Sequence, residues 1–165
     1  MTTRAAIGLL SLTLSLLGAA PASAVARCKD RPLRGTLSGV VALSPATGNF
    51  VGDATGKISH LGRVTAHQAG RVAPDASGHY AGSSTWSIVG ANGDSLTGTA
   101  TLDVVGPPNG AHTTTMVATI TGGTGRFAHA SGTFTTVFRV TPHTPFDGVS
   151  LVNKVEGQTS GRIRY

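Results

Sequence analysis

A glycine-rich stretch offers the first candidate chemistry in this sequence. Gly123, Gly125 and Ala128 follow a strand-like run with the spacing of a dinucleotide-binding fingerprint, and Asp147 lies about where a ribose contact would be expected. That fingerprint needs a helix after its second glycine, because the N-terminal amides of the helix face the pyrophosphate. Here Gly132 and another strand-like run follow within seven residues. We therefore predict a connection between strands, with Phe127 closing one end of the fold, and no nucleotide site.

Other reactive motifs are missing from the sequence. It contains no Gly-Lys-Ser/Thr phosphate loop, no Gly-x-Ser-x-Gly elbow, no His-Glu-x-x-His motif and no close Cys/His cluster. We therefore expect no cofactor and no metal, and we assign no catalytic residue. Cys28 is the single cysteine, so it cannot form a disulfide within the chain, and we expect a free or capped thiol.

The elements that must position any site are β-strands. Apolar and polar residues alternate with period two in several windows, and no mature window shows helical spacing. Asn92-Gly93 predicts a hairpin with a type I′ turn, in which Asp94 is a turn residue. The predicted strands are Leu33–Leu43, Gly56–Arg71, Gly78–Gly90, Ser95–Val105, Thr113–Thr121, Thr133–Thr141, Val149–Gln158 and a short Gly161–Tyr165.

About eight short antiparallel strands fit either a sandwich or a closed up-and-down barrel. We favour the barrel, because closure removes the exposed edges of threonine-rich strands and leaves a lumen for packed side chains or one small ligand. The predicted fold class is thus all-β, an eight-stranded antiparallel barrel of calycin or lipocalin type.

Alternation also predicts which side chains face the lumen. His60 is placed inside with Ile58 and Val64, on the assumption that one strand runs through it. Asn153 is expected to hydrogen-bond across the barrel, with the orientation of a ligand carbonyl as the alternative. The aromatic residues and Met116 suit either an ordinary core or a ligand-lined cavity. The candidate ligand-binding residues are His60, Tyr80, Trp86, Met116, Phe134, Phe138 and Asn153.

The stretch TITGGTGRFAHASGTF, residues 119–134, resembles a segment of the allene oxide cyclase and dirigent families and of bacterial secreted proteins with an allene-oxide-cyclase-like barrel. HLGRVTA from His60 and ANGDSL from Ala91 are similar to the bacterial group. The resemblance implies an eight-stranded lipocalin-like barrel, often oligomeric, with an apolar cavity that holds a substrate conformation. The acid and asparagines on early strands of the cyclases have no match in PLRGTLSGVVAL, residues 32–43.

The N-terminus predicts export. An apolar run after Arg4 ends at Pro21-Ala22-Ser23-Ala24, which suits a signal peptide cleaved after Ala24. The formal net charge is +6, and Arg27, Lys29, Arg31 and Arg34 cluster at the mature N-terminus. The predicted organisation is a signal peptide over 1–24, a basic arm over 25–34 and one barrel domain over 35–165. We expect a secreted or periplasmic protein.

The sequence leaves the function open among four classes. The first is a barrel that binds a small apolar or amphipathic molecule, and the second is a cofactor-independent isomerase or cyclase. The third is an envelope interaction protein that uses its surface and basic arm. The fourth, an integral outer-membrane barrel, is disfavoured because few aromatic residues are available for two girdles. We expect no nucleic-acid partner, no integral membrane span, and a possible homo-oligomer.

Overall fold

A computed structural model describes residues 29–107, 110–144 and 148–165. The predicted signal peptide, Cys28 and Asp147 lie outside these residues. Each strand pairs antiparallel with the next, and the last pairs with the first, so that the sheet closes. The predicted eight-stranded antiparallel barrel is confirmed. The strands are β1 (Asp30–Leu43), β2 (Asn49–Ile58), β3 (Gly62–Pro74), β4 (Tyr80–Gly90), β5 (Ser95–Val105), β6 (His112–Gly123), β7 (Ser131–Pro142) and β8 (Leu151–Arg164).

Two strand predictions were wrong, and their errors cancel in the strand count. The predicted strand over 56–71 crosses a tight turn, because β2 ends at Ile58 and β3 begins at Gly62. The predicted break before Gly161 does not exist, because β8 runs through to Arg164. Gly161, the predicted start of a separate strand, lies against the backbone and Cβ of Phe134, where a side chain would overlap them.

Glycines inside strands make room for aromatic rings in the barrel. The indole of Trp86 lies over Gly98 on β5, and the ring of Phe138 lies over Gly157 on β8. A Cβ at either glycine would overlap the ring, so these positions exclude larger residues. The interior glycines thus allow rings to pack within the narrow lumen of a small barrel.

The first strand begins earlier than predicted. Residues 30–34, which the charge pattern assigned to a basic arm, pair with residues 160–164 of β8. Leu33 is completely buried, and the Asp30 carboxylate accepts a hydrogen bond from Arg162 at 2.7 Å. Alternation of charged and apolar residues therefore reflects a strand here. Residues 30–34 therefore belong to the barrel.

The barrel has two different ends. The closed end carries the β2–β3 and β4–β5 turns and the glycine-rich β6–β7 connection, and the cavity end carries the other four loops. Phe127 lies in a one-turn 3₁₀ helix, Gly125–Phe127, and is completely buried, as predicted for a plug. Its ring contacts Tyr165 with centroids 4.7 Å apart. Three further side chains with no exposed surface fill this end, namely Leu33, Leu96 and Ile163.

Candidate functional site

A cavity of about 120 Å³ occupies the half of the barrel nearer the cavity end. Its wall is mostly apolar, because alternate residues of neighbouring strands turn aliphatic and aromatic side chains inward. The structure brings six of the seven predicted lumen residues together around this cavity. These six are Tyr80, Trp86, Met116, Phe134, Phe138 and Asn153.

His60 does not belong to this group, and its prediction as a lumen residue was wrong. It lies in the β2–β3 turn at the closed end with a φ of 72°. Its Nε2 is 2.9 Å from the carbonyl of Pro32, and its own carbonyl accepts a hydrogen bond from Arg126. Side chains alternate between inward and outward only within a strand, and β2 ends at Ile58. Counting in steps of two from Ile58 therefore does not predict the orientation of His60.

The turn type predicted for the β4–β5 hairpin was also wrong, although the hairpin itself is correct. Among the described residues other than glycine, only His60 has a positive φ, so Asn92 does not adopt the conformation of a type I′ turn. Within this turn, Gly93 is the residue with a positive φ, of 85°. Asp94 is a structural turn residue, as expected, and accepts hydrogen bonds from Asn92 at 2.8 Å and Arg126 at 3.0 Å.

The glycine-rich connection uses its polar groups internally. The backbone N–H of Thr124 donates to the carbonyl of Ser95, and the N–H of Phe127 donates to the carbonyl of Thr124. The hydroxyls of Ser95 and Thr124 are 2.9 Å apart. Arg126 joins this connection to the neighbouring turn through Asp94. The polar groups of the connection therefore bind neighbouring residues at the closed end and stabilise the fold.

Sequence reasoning missed two polar pairs inside the barrel, Gln68–Ser84 and Thr136–Thr159. The amide of Gln68 donates to the hydroxyl of Ser84 at 2.8 Å across β3 and β4. Both residues lie in phase with neighbouring inward positions, Val64 on β3 and Trp86 on β4, so alternation could have found them. Because each side chain has a partner, this pair is satisfied inside the barrel.

Asn153 is different, because its buried amide faces the cavity without a protein partner. The residue is 3% exposed, and its side chain makes no hydrogen bond within the described part of the chain. The predicted hydrogen bond across the barrel is therefore not formed. Its neighbours in register on β1 and β7 are Val41 and Pro142, which offer no side-chain hydrogen bond.

Ionisable groups near the cavity lie on its outer side or at its end. Asp53 and His67 border the cavity wall, but their side chains are more than half exposed and pair with each other at 2.8 Å on the outer surface. His112 lines the cavity end, and its Nδ1 is 2.8 Å from the carbonyl of Gly110. Within residues 29–107, 110–144 and 148–165, no cluster of ligating side chains could hold a metal.

A carboxylate organises the β3–β4 loop at the cavity end. Asp75 accepts hydrogen bonds from the hydroxyl of Ser77 at 2.6 Å, from its backbone N–H at 2.8 Å, and from the N–H of His79 at 3.0 Å. The Ser77 hydroxyl and backbone N–H hold the pKa of the Asp75 carboxyl below its usual value. His79 also contacts Asp103 on β5 at 2.8 Å, which ties this loop to the barrel wall.

The fold and site together define a closed antiparallel β-barrel with a small, mainly apolar internal cavity. No protein-family model and no curated protein matches the chain. Among solved structures, the chain is similar to the pterocarpan synthase dirigent protein GePTS1, with 15% identity and a TM-score of 0.48 over 84% of this chain and 87% of that one. Among the described residues, no helix is long and apolar enough to cross a membrane.

Proposed function

We propose that this protein is an exported barrel that binds a small, uncharged, largely apolar molecule in its internal cavity. The observation that carries the proposal is the mainly apolar cavity next to a fully packed end. An engineered apolar cavity of about 150 Å³ binds benzene, whereas drug-sized ligands occupy about 300 to 1,000 Å³. At about 120 Å³, the cavity suits a single ring or a short aliphatic group.

One glycine supports a binding role for this space. Gly52 faces the cavity, and a Cβ built there meets its nearest atoms at 3.4–3.6 Å, an ordinary contact distance. The rings and backbone that exclude side chains at Gly98 and Gly157 have no counterpart at this position. A larger residue would fit and would strengthen the strand, so the glycine preserves cavity volume at a cost to stability.

The polar groups buried in the lumen favour binding over isomerase or cyclase chemistry. The buried polar side chains are the amide of Asn153 and the hydroxyls of Ser84, Thr136 and Thr159, and the half-buried Gln68 adds a second amide. Amides and hydroxyls form hydrogen bonds and do not exchange protons readily at neutral pH. We further propose that the chain is a member of the exported allene-oxide-cyclase-like barrels that its glycine-rich stretch resembles. Export is tested by mass spectrometry of the extracellular protein, in which an N-terminus at Val25 is expected.

The binding proposal is tested by filling the cavity. In Gly52→Leu, the new side chain occupies the space beside Val41, so the protein should fold but lose binding of toluene and phenol in calorimetric titrations. Val51→Leu is the matched control, because Val51 is the adjacent residue and is 48% exposed on the outer face. Equal binding by wild type, Gly52→Leu and Val51→Leu would place the ligand elsewhere.

A further inference from the structure

The side-chain amide of Asn153 is buried but has no hydrogen-bond partner in the described part of the chain. It is 3% exposed, it lines the cavity, and no described side chain or backbone group pairs with its amide. Because no fully enclosed polar atom in the described chain lacks a partner, the amide must retain contact with the cavity space. Its hydrogen-bonding groups are thus available to a molecule inside the barrel.

Resting on the proposed function, we infer that Asn153 is the hydrogen-bonding position of the ligand site. The ligand then carries one neutral polar group, a carbonyl, hydroxyl or ether, on an apolar body about the size of a single ring. An amide can donate and accept, so it recognises each of these groups. A wall of apolar side chains supplies the rest of the contact.

Asn153 makes the folded chain less stable than an apolar residue of the same shape would. A buried amide without a protein partner lowers stability relative to a paired one, because its desolvation is not offset by a hydrogen bond. Leucine has nearly the same shape and would pack against Val41 without that penalty. Positions where a sequence breaks a packing rule without compensation are expected at functional sites. The unpaired amide is therefore best explained by a ligand group that completes its hydrogen bonds.

Other buried polar groups of the lumen are already engaged within the protein. Gln68 pairs with Ser84, and the indole N–H of Trp86 donates to the carbonyl of Thr99 at 3.0 Å. Deeper in the barrel, the hydroxyls of Thr136 and Thr159 are 2.9 Å apart. A ligand would have to break these contacts to use them, whereas Asn153 is ready to bind.

The ligand is neutral because the wall around Asn153 is mainly apolar, and His112 at the cavity end already contacts the carbonyl of Gly110 through its Nδ1 at 2.8 Å. The ionisable side chains in the wall between β2 and β3, Asp53 and His67, pair on the outer surface. Moving a carboxylate or ammonium group from water into an apolar space without a partner is strongly unfavourable. We therefore expect benzoate and benzylammonium to bind much more weakly than phenol.

The test compares phenol with toluene, which have nearly the same shape and differ in one hydroxyl. Calorimetric titrations of wild type and Asn153→Leu give the ratio of the two dissociation constants in each protein. Loss of the amide should shift this ratio about 10-fold towards toluene, the size of one lost hydrogen bond. Gln158→Leu is the matched control, because this exposed amide lies on the outer face of the same strand, and its ratio should match wild type.

Nuclear magnetic resonance of the wild-type protein provides a second measurement that does not depend on the variant. Phenol should shift the side-chain amide signals of Asn153, and toluene should leave them nearly unchanged. An unchanged ratio in Asn153→Leu, or amide signals insensitive to phenol, overturns the inference but leaves the proposed function intact if toluene binds. If neither probe binds wild type up to its solubility limit, the proposed function fails, and this inference fails with it.

Discussion

Phe127→Ala should be among the most destabilising single substitutions in the barrel. Phe127 has no exposed surface, and its ring contacts Tyr165 at 4.7 Å and the guanidinium of Arg126 at 4.9 Å. Removing a fully buried phenylalanine ring costs about 3–5 kcal/mol, because it loses apolar transfer energy and leaves a cavity. For a domain of this size, that loss corresponds to a decrease in melting temperature of about 10 to 20 °C.

Urea unfolding followed by the fluorescence of Trp86, the single tryptophan, measures this effect. Val117→Ala provides the comparison, because Val117 is 48% exposed on the outer face of β6, and its truncation should cost about 0.5 kcal/mol or less. Equal losses in the two variants would refute the view that Phe127 packs the closed end. Below its melting temperature, Phe127→Ala should still bind toluene, because Phe127 does not line the cavity.

Three further predictions concern stability. Asn153→Leu should raise the free energy of unfolding by about 1–3 kcal/mol in urea titrations, whereas an equal or lower value would show that the amide is not a burden. Deletion of residues 30–34 should greatly lower the melting temperature, because it removes buried Leu33 and its pairing with β8. An unchanged melting temperature would show that these residues do not contribute to the barrel. The pKa of Asp75 is lowered in the folded state, so its stabilisation is present above the unfolded-state pKa of about 3.9 and is lost as pH falls through the lowered folded value. The stability difference between wild type and Asp75→Asn should therefore shrink as pH falls below about 4, and a difference that stays the same between about pH 5 and pH 2 would contradict this assignment.

The fold was predictable where alternation ran without interruption. β5, Ser95–Val105, has the bounds that its pattern predicts, and the inward assignments of Phe134 and Phe138 on β7 are confirmed. Regular alternation is a direct consequence of a strand with one buried face. Most of the cavity wall followed from that regularity.

The remaining errors arose where a residue type indicated a structure that tertiary packing overruled. His60 turns the chain in a left-handed conformation that favours glycine, so the residue type at this position did not mark the β2–β3 turn. Gly161 was predicted to begin a separate strand, but it lies within β8, where the packing of Phe134 requires a glycine. The state of the Asn153 amide depends on neighbours from β1 and β7, which no local window of sequence contains.

Substitutions at the two ends of the barrel are expected to have different consequences, because one end is fully packed and the other contains the cavity. Substitutions at Leu33, Leu96, Phe127 or Ile163 affect folding first, since these side chains have no exposed surface. Substitutions at the cavity end, such as Gly52, first alter the volume offered to a guest molecule. A lineage with this architecture can change its specificity through one end while the other preserves the scaffold.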